Sequence, residues 1–155
     1  MTISKGTGRP ARADLPWHSR RVEFHLGRVV DHVHLRVRDL EWSRRFYQSA
    51  LGALGRELRT GDGYFSCDEL WVTADGPTTE NLHLAFQAAD EESVRRFHMA
   101  AVAAGGRDNG APGERDYHPG YYAAYVLDPD GNNVEAVFHG PARRSASSVV
   151  VEPAD

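Results

Sequence analysis

From Asp31 the chain alternates apolar and polar side chains. In Asp31-His32-Val33-His34-Leu35-Arg36-Val37, Val33, Leu35 and Val37 share one face, which predicts a half-buried strand. Asp39 then stands where a helix cap is expected. The stripe Trp42, Phe46, Ala50 and Leu51 runs at helical spacing and is closed by Gly52 and Gly55. Short strands are predicted over 56–59, 64–67 and 70–73, and Asp75-Gly76-Pro77 opens a linker reaching Glu80. The sequence then starts again. Asn81 to Gln87 reads as a strand, Asp90 as a cap, Glu91 and Glu92 as a favourable acidic first turn, and Gly105-Gly106 as a stop. Strands over 107–109, 121–127 and 133–139 follow, the last two joined by the turn Asp128-Pro129-Asp130-Gly131.

The restart is a duplication. Shifted by 51 places, His32 falls on His83, Asp39 on Asp90, Glu41 on Glu92, Arg44-Arg45-Phe46 on Arg95-Arg96-Phe97, Ala50 on Ala101, and Gly55-Arg56 on Gly106-Arg107. Background composition gives roughly one or two identities over such a window. Two copies are too few for a solenoid, so the expected architecture is α+β: two paired βαβββ modules, about 31–74 and 81–139, within a domain over 22–140. Residues 1–21 read as a disordered N-terminal arm and 141–155 as a flexible tail. The stretch 22–30 is a candidate for a further early strand.

Composition narrows the picture without naming a function. In 155 residues, 41% are apolar and 26% charged, ordinary for one globular domain. A net charge of -4 gives no reason to expect nucleic acid. No stretch approaches the roughly 20 apolar residues of a membrane span, nor does the N-terminus resemble a secretory signal. The expectation is a cytoplasmic protein acting on a small molecule. The lone Cys67 reads either as a nucleophile or as a small strand residue.

The candidate chemistry is a metal centre. The duplication selects one histidine per module, His32 and His83, at the same point of the same strand. Glu135 supplies a carboxylate inside Asn133-Val134-Glu135-Ala136-Val137-Phe138, costly there unless paired or metal-bound. Two imidazoles and a carboxylate suit zinc, nickel, manganese or iron and leave positions open for substrate. His34 and Arg36 share the face of His32, as Gln87 shares that of His83. The segment 107–121 is rich in Gly and Pro and reads mostly as a loop, offering Arg115, Tyr117, His118 and Tyr121. His34, Tyr121 and Glu135 are the candidate catalytic groups. Arg36, Gln87, Arg115, Tyr117 and His118 are the candidate substrate contacts. His18, His25, His98 and His139 have no such context.

Three stretches resemble the vicinal oxygen chelate superfamily, which includes glyoxalases, bleomycin-binding proteins and extradiol dioxygenases. They are Asp31 to Asp39 followed by Arg45-Phe46-Tyr47 and Leu51-Gly52; Leu82-His83-Leu84-Ala85-Phe86; and Leu127-Asp128-Pro129-Asp130-Gly131-Asn132-Asn133-Val134-Glu135. The resemblance implies curled sheets around a metal cleft, with His32, His83 and Glu135 at the ligand positions. Where relatives use a fourth ligand, the alignment gives Trp71; a register two residues different would give Glu69. It further implies a homodimer, the cleft lying within one chain or across two. The implied activity is that of a divalent-metal-dependent lyase or isomerase on a small oxygenated or thiol-conjugated compound. The alternatives are a metal-free drug-binding protein of the bleomycin-binding type and a small extradiol-type dioxygenase.

Overall fold

A computed structural model describes residue 27 and residues 29–150. The first module runs β1 (Val33–Arg36), α1 (Leu40–Gly52), β2 (Arg59–Gly61), β3 (Tyr64–Cys67) and β4 (Leu70–Thr73). The second repeats it as β5 (His83–Gln87), α2 (Glu91–Ala103), β6 (Arg107–Glu114), β7 (Tyr122–Leu127) and β8 (Asn133–Phe138). Each module forms one open four-stranded mixed sheet, ordered β1-β4-β3-β2 and β5-β8-β7-β6. The first and last strands of each module pair in parallel, and the others pair antiparallel. This is the expected pair of βαβββ modules.

The duplicated caps act alike. The Asp39 carboxylate accepts from Trp42 N at 2.9 Å, and that of Asp90 from Ser93 N at 2.7 Å. Each satisfies an N–H that the helix itself leaves unpaired. Behind the caps, α1 buries Ser43, Phe46, Tyr47, Ala50 and Leu51, and α2 buries Ser93, Val94, Phe97 and Ala101. Both helices feed one core with Leu35, Phe65 and Val72 from one sheet and Val126, Val134 and Ala136 from the other. Cys67 faces this core, and burial pushes its thiol up, away from nucleophile chemistry.

A polar contact also ties the modules. Tyr47, fully buried on α1, donates to Asp128 Oδ2 at 2.8 Å in the β7–β8 turn. Asp128 Oδ1 meanwhile accepts from Asp130 N and Asn132 N, each at 2.9 Å. Burial raises the Asp128 carboxyl above its ordinary range against these opposing bonds.

One expectation needs correction. Most of 107–121 is not loop: β6 extends to Glu114, and only the stretch after it leaves the sheet. Its Gly and Pro content reflects an edge strand with register shifts between Asp108 and Gly110 and again before Gly113. Such irregular edges tolerate Pro112, and Gly110 leaves room for the Tyr125 ring, 2.7 Å from where a Cβ would stand. The early strand over 22–30 lies mostly outside the described residues; Gly27, Val29 and Val30 are not in a strand. The arm 1–21 falls outside them too. Residues 141–150 carry no helix or strand. No helix among the described residues is long and apolar enough to cross a membrane.

Candidate functional site

Strand parity divides each sheet into a core face and an outward face. On the second sheet the outward face carries His83, Ala85 and Gln87 from β5 and Asn133, Glu135 and Val137 from β8. Tyr125 and Ala123 of β7 complete it, Ala85 and Tyr125 both lying opposite Glu135. Glu135 is 2% exposed, a carboxylate held among apolar neighbours. Both of its oxygens are engaged. His83 Nε2 lies 2.8 Å from Oε2, and the Tyr121 hydroxyl donates to Oε1 at 2.7 Å. Burial first, then the bond to Glu135, pushes the Tyr121 phenol far above its ordinary range, so its proton stays on the oxygen.

Around this trio the structure gathers more of the expected residues. Arg115 lies over the Tyr125 ring at 5.2 Å and donates to Ala111 O at 2.6 Å. Tyr117 stands edge-on to Tyr121 with ring centres 4.9 Å apart. His118 stacks on His139, with Nε2 and Nδ1 at 2.9 Å, and both rings meet Tyr121 edge-on. Gln87 Oε1 accepts from Arg144 of the C-terminal segment. Tyr125 is an addition to the sequence reading, and His139, set aside there, joins the cluster through His118 and Tyr121. Both share the two-residue period of Glu135 and its strand partners, the signal that would have found them. Burial, reinforced by the charge of His118, lowers the pKa of His139.

The first sheet presents a different outward face. His34 Nε2 meets Thr73 Oγ1 at 2.9 Å, Thr73 donates to Asp75 Oδ1, and Arg36 Nε donates to the same oxygen at 3.3 Å. His32 precedes β1, its Nδ1 2.7 Å from Asp31 Oδ1. The pairing also fixes the register of the absent fourth ligand. His34 lies opposite Trp71 as Ala85 lies opposite Glu135, so Trp71 occupies the Glu135 position and Glu69 does not.

His83 and Glu135 therefore meet, while His32 stays with the first sheet. Among the described residues no three His, Cys, Asp or Glu side chains come together to hold a metal within this one chain. The second module alone offers an imidazole nitrogen beside a carboxylate oxygen, with His83 open to solvent: two donors suited to a borderline divalent ion. An ion held there would need a further ligand from outside this pair.

Comparison with known proteins places this architecture. The sequence profile of the Glyoxalase/Bleomycin resistance protein/Dioxygenase superfamily matches residues 29–136. A solved glyoxalase/bleomycin resistance protein from Albidiferax ferrireducens T118 is 33% identical over 69% of this chain and 95% of its own, with a TM-score of 0.60. A glyoxalase-related enzyme from Fulvimarina pelagi is 23% identical over 72% of this chain and 88% of its own, with a TM-score of 0.58. A lactoylglutathione lyase from Agrobacterium tumefaciens is 21% identical over 73% and 95%, with a TM-score of 0.53. These two share the fold. No curated protein sequence matches the chain. With its profile matched across both modules, and a relative one-third identical along nearly its whole length, this chain belongs to the glyoxalase/bleomycin resistance protein/dioxygenase superfamily, the vicinal oxygen chelate fold.

Proposed function

We propose that the chain is a divalent-metal-dependent enzyme of the glyoxalase-like lyase or isomerase type, with a cleft completed by a second copy of itself. The observation that carries this reading is Glu135: a buried carboxylate whose Oε2 stands 2.8 Å from the nitrogen of a solvent-open histidine. In a symmetric dimer, the face bearing His83 and Glu135 on one protomer meets the face bearing His32 on the other. A bound ion there would polarise neighbouring oxygens of a small oxygenated or thiol-conjugated substrate. Tyr121 keeps Glu135 oriented by donating to Oε1 and does not lose its own proton near neutral pH. His34, held by Thr73, is the candidate proton acceptor on the opposite wall. Arg115, Tyr117 and His118 border the second-module wall as candidate substrate contacts.

Metal analysis of protein purified without chelator tests this reading. The expected result is about one ion per two-wall cleft, lost in His32→Ala, His83→Ala and Glu135→Ala. No bound metal, with stability unchanged by those substitutions, would sink it. Bound iron with oxygen uptake would instead select the dioxygenase chemistry. One observation favours the metal-free drug-binding reading: both Glu135 oxygens already have partners within the chain, so the carboxylate is satisfied without an ion.

A further inference from the structure

The chain holds four asparagines, and the side-chain amide carbon of each is within ring-closing reach of the next residue's main-chain nitrogen. For three of them that nitrogen is held or crowded. After Asn81, Leu82 N donates to Asn132 Oδ1 at 3.0 Å. After Asn132, Asn133 N donates to Leu82 O at 2.9 Å. After Asn133, Val134 lies inside β8, paired with Leu84 on one side and Val126 on the other. All three following residues also carry a Cβ that hinders the approach. Asn109 differs, because the residue after it is Gly110.

The fold adds to this local difference. β6 is the outer strand of its sheet, and its ladder with β7 skips Asn109: Asp108 pairs with Val126 and Gly110 with Tyr125. Asn109 is thus the extra residue of a bulge, exposed and without a partner across the ladder. The Gly110 N–H donates to Asp108 Oδ1 at 3.0 Å, and His98 Nε2 lies 2.9 Å from the same oxygen. A carboxylate therefore already sits on the proton that this nitrogen has to give up. The Asn109 amide donates through Nδ2 to Asn133 Oδ1 at 3.0 Å, and Asn133 is the register partner of His83.

We propose that Asn109 is a self-modification site, converted to an isoaspartyl or aspartyl residue by closure of its side chain on Gly110 N. Gly110 N attacks Asn109 Cγ and the Cγ–Nδ2 bond breaks. The amine leaves as ammonia, taking the proton that Gly110 N gives up. One water molecule then opens the five-membered imide at either carbonyl. Opening at the main-chain carbonyl leaves the chain running through Cγ, the isoaspartyl form, and opening at Cγ gives aspartate. Nothing beyond water is consumed. Either product has a carboxylate in place of the Asn109 amide, so Asn133 Oδ1 loses its donor and a negative charge enters beside the register partner of His83. The inference stands apart from the metal reading and does not depend on it.

The test is to hold the folded full-length protein in warm buffer for days and to compare tryptic peptides with a zero-time sample by mass spectrometry. Cleavage after arginine releases 108–115, where Asn109 is the sole asparagine, and 116–143, which carries Asn132 and Asn133. Amide loss is expected at least about tenfold faster in 108–115 than in 116–143. It should quicken from mildly acidic to mildly alkaline buffer, because the attacking nitrogen sheds a proton. Electron-transfer fragmentation should find isoaspartate as the larger product. Asn109→Gln, whose longer side chain would have to close a six-membered ring, should lose the signal, and circular dichroism melts check that it is folded. The wild-type comparison between the two peptides carries the test if it is not. Equal rates in the two peptides, or aspartate without isoaspartate, overturns the inference. So does a synthetic 108–115 peptide that reacts while the folded protein does not, since the bulge would then protect Asn109.

Discussion

Single residues in this fold are judged by what their twin in the other module does. Ser43 is fully buried on α1, and its hydroxyl has no hydrogen-bond partner among the described residues. The duplicated position on α2 is Val94, also fully buried. A buried, unsatisfied hydroxyl costs on the order of 1 kcal/mol or more. Ser43→Ala should therefore raise unfolding stability by about 1 kcal/mol in urea titration, and no change or a loss would show that the hydroxyl has a partner. The same comparison explains why His32 and His83 were legible from sequence: identical residues at one repeat position stand out from the other histidines. Trp71 was visible only as the wrong residue for a ligand. Its stack on Tyr64 joins a residue of β3 to one of β4 that is not its register partner and uses the space at Gly61, which no local pattern encodes.

Between elements, the most consequential contact is the one from Tyr47 on α1 to Asp128 in the β7–β8 turn. Tyr47→Phe keeps the ring and deletes the donor, leaving Asp128 Oδ2 buried without that bond. The expected loss is about 1–3 kcal/mol at neutral pH. The sign with pH follows from the raised pKa of Asp128. A carboxyl whose folded pKa lies above its unfolded value favours folding when protonated, and this contribution fades as pH rises through the folded pKa. Removing Tyr47 raises that pKa further, because its hydroxyl had stabilised the charged form. The Tyr47→Phe penalty should therefore shrink as pH falls from 7 toward about 4; urea titrations at both ends measure it, and a constant penalty would refute the assignment. The turn itself was legible as Asp-Pro-Asp-Gly, and both helices from their caps and apolar stripes. The length of β6 was not, because its bulges at Gly110 and Gly113 carry the residues that ordinarily mark loops. Nor was the Tyr47–Asp128 bond, since sequence shows which side chains turn inward but not which polar pairs meet there.

For the whole molecule, the duplication made the fold readable almost end to end, and the family profile covers both modules. The assembly of the site was less accessible. Parity put His83 and Glu135 on one face, but whether the outward faces of the two sheets meet cannot be inferred from alternation within each. If the cleft spans two protomers, complementation follows from symmetry. In a dimer of one His32→Ala chain and one Glu135→Ala chain, one cleft carries both substitutions and the other carries neither. An equal mixture, unfolded and refolded together, should recover about one quarter of wild-type metal binding, since about half the dimers are mixed. Each variant alone should recover none. No recovery in a mixture shown to exchange subunits would place the cleft within one chain.

The parallel pairing of β5 with β8 has a consequence for how this protein comes into being. His83 and Glu135 are 52 residues apart, and the chain between them includes α2, β6 and β7. Their contact spans nearly the whole second module and bears the entropy of closing that loop. Helical turns and the β7–β8 hairpin can form from neighbouring residues, but this contact cannot. The chemistry-bearing face of the second module is thus among its last surfaces to acquire native order, and a chain with both helices formed can still lack it.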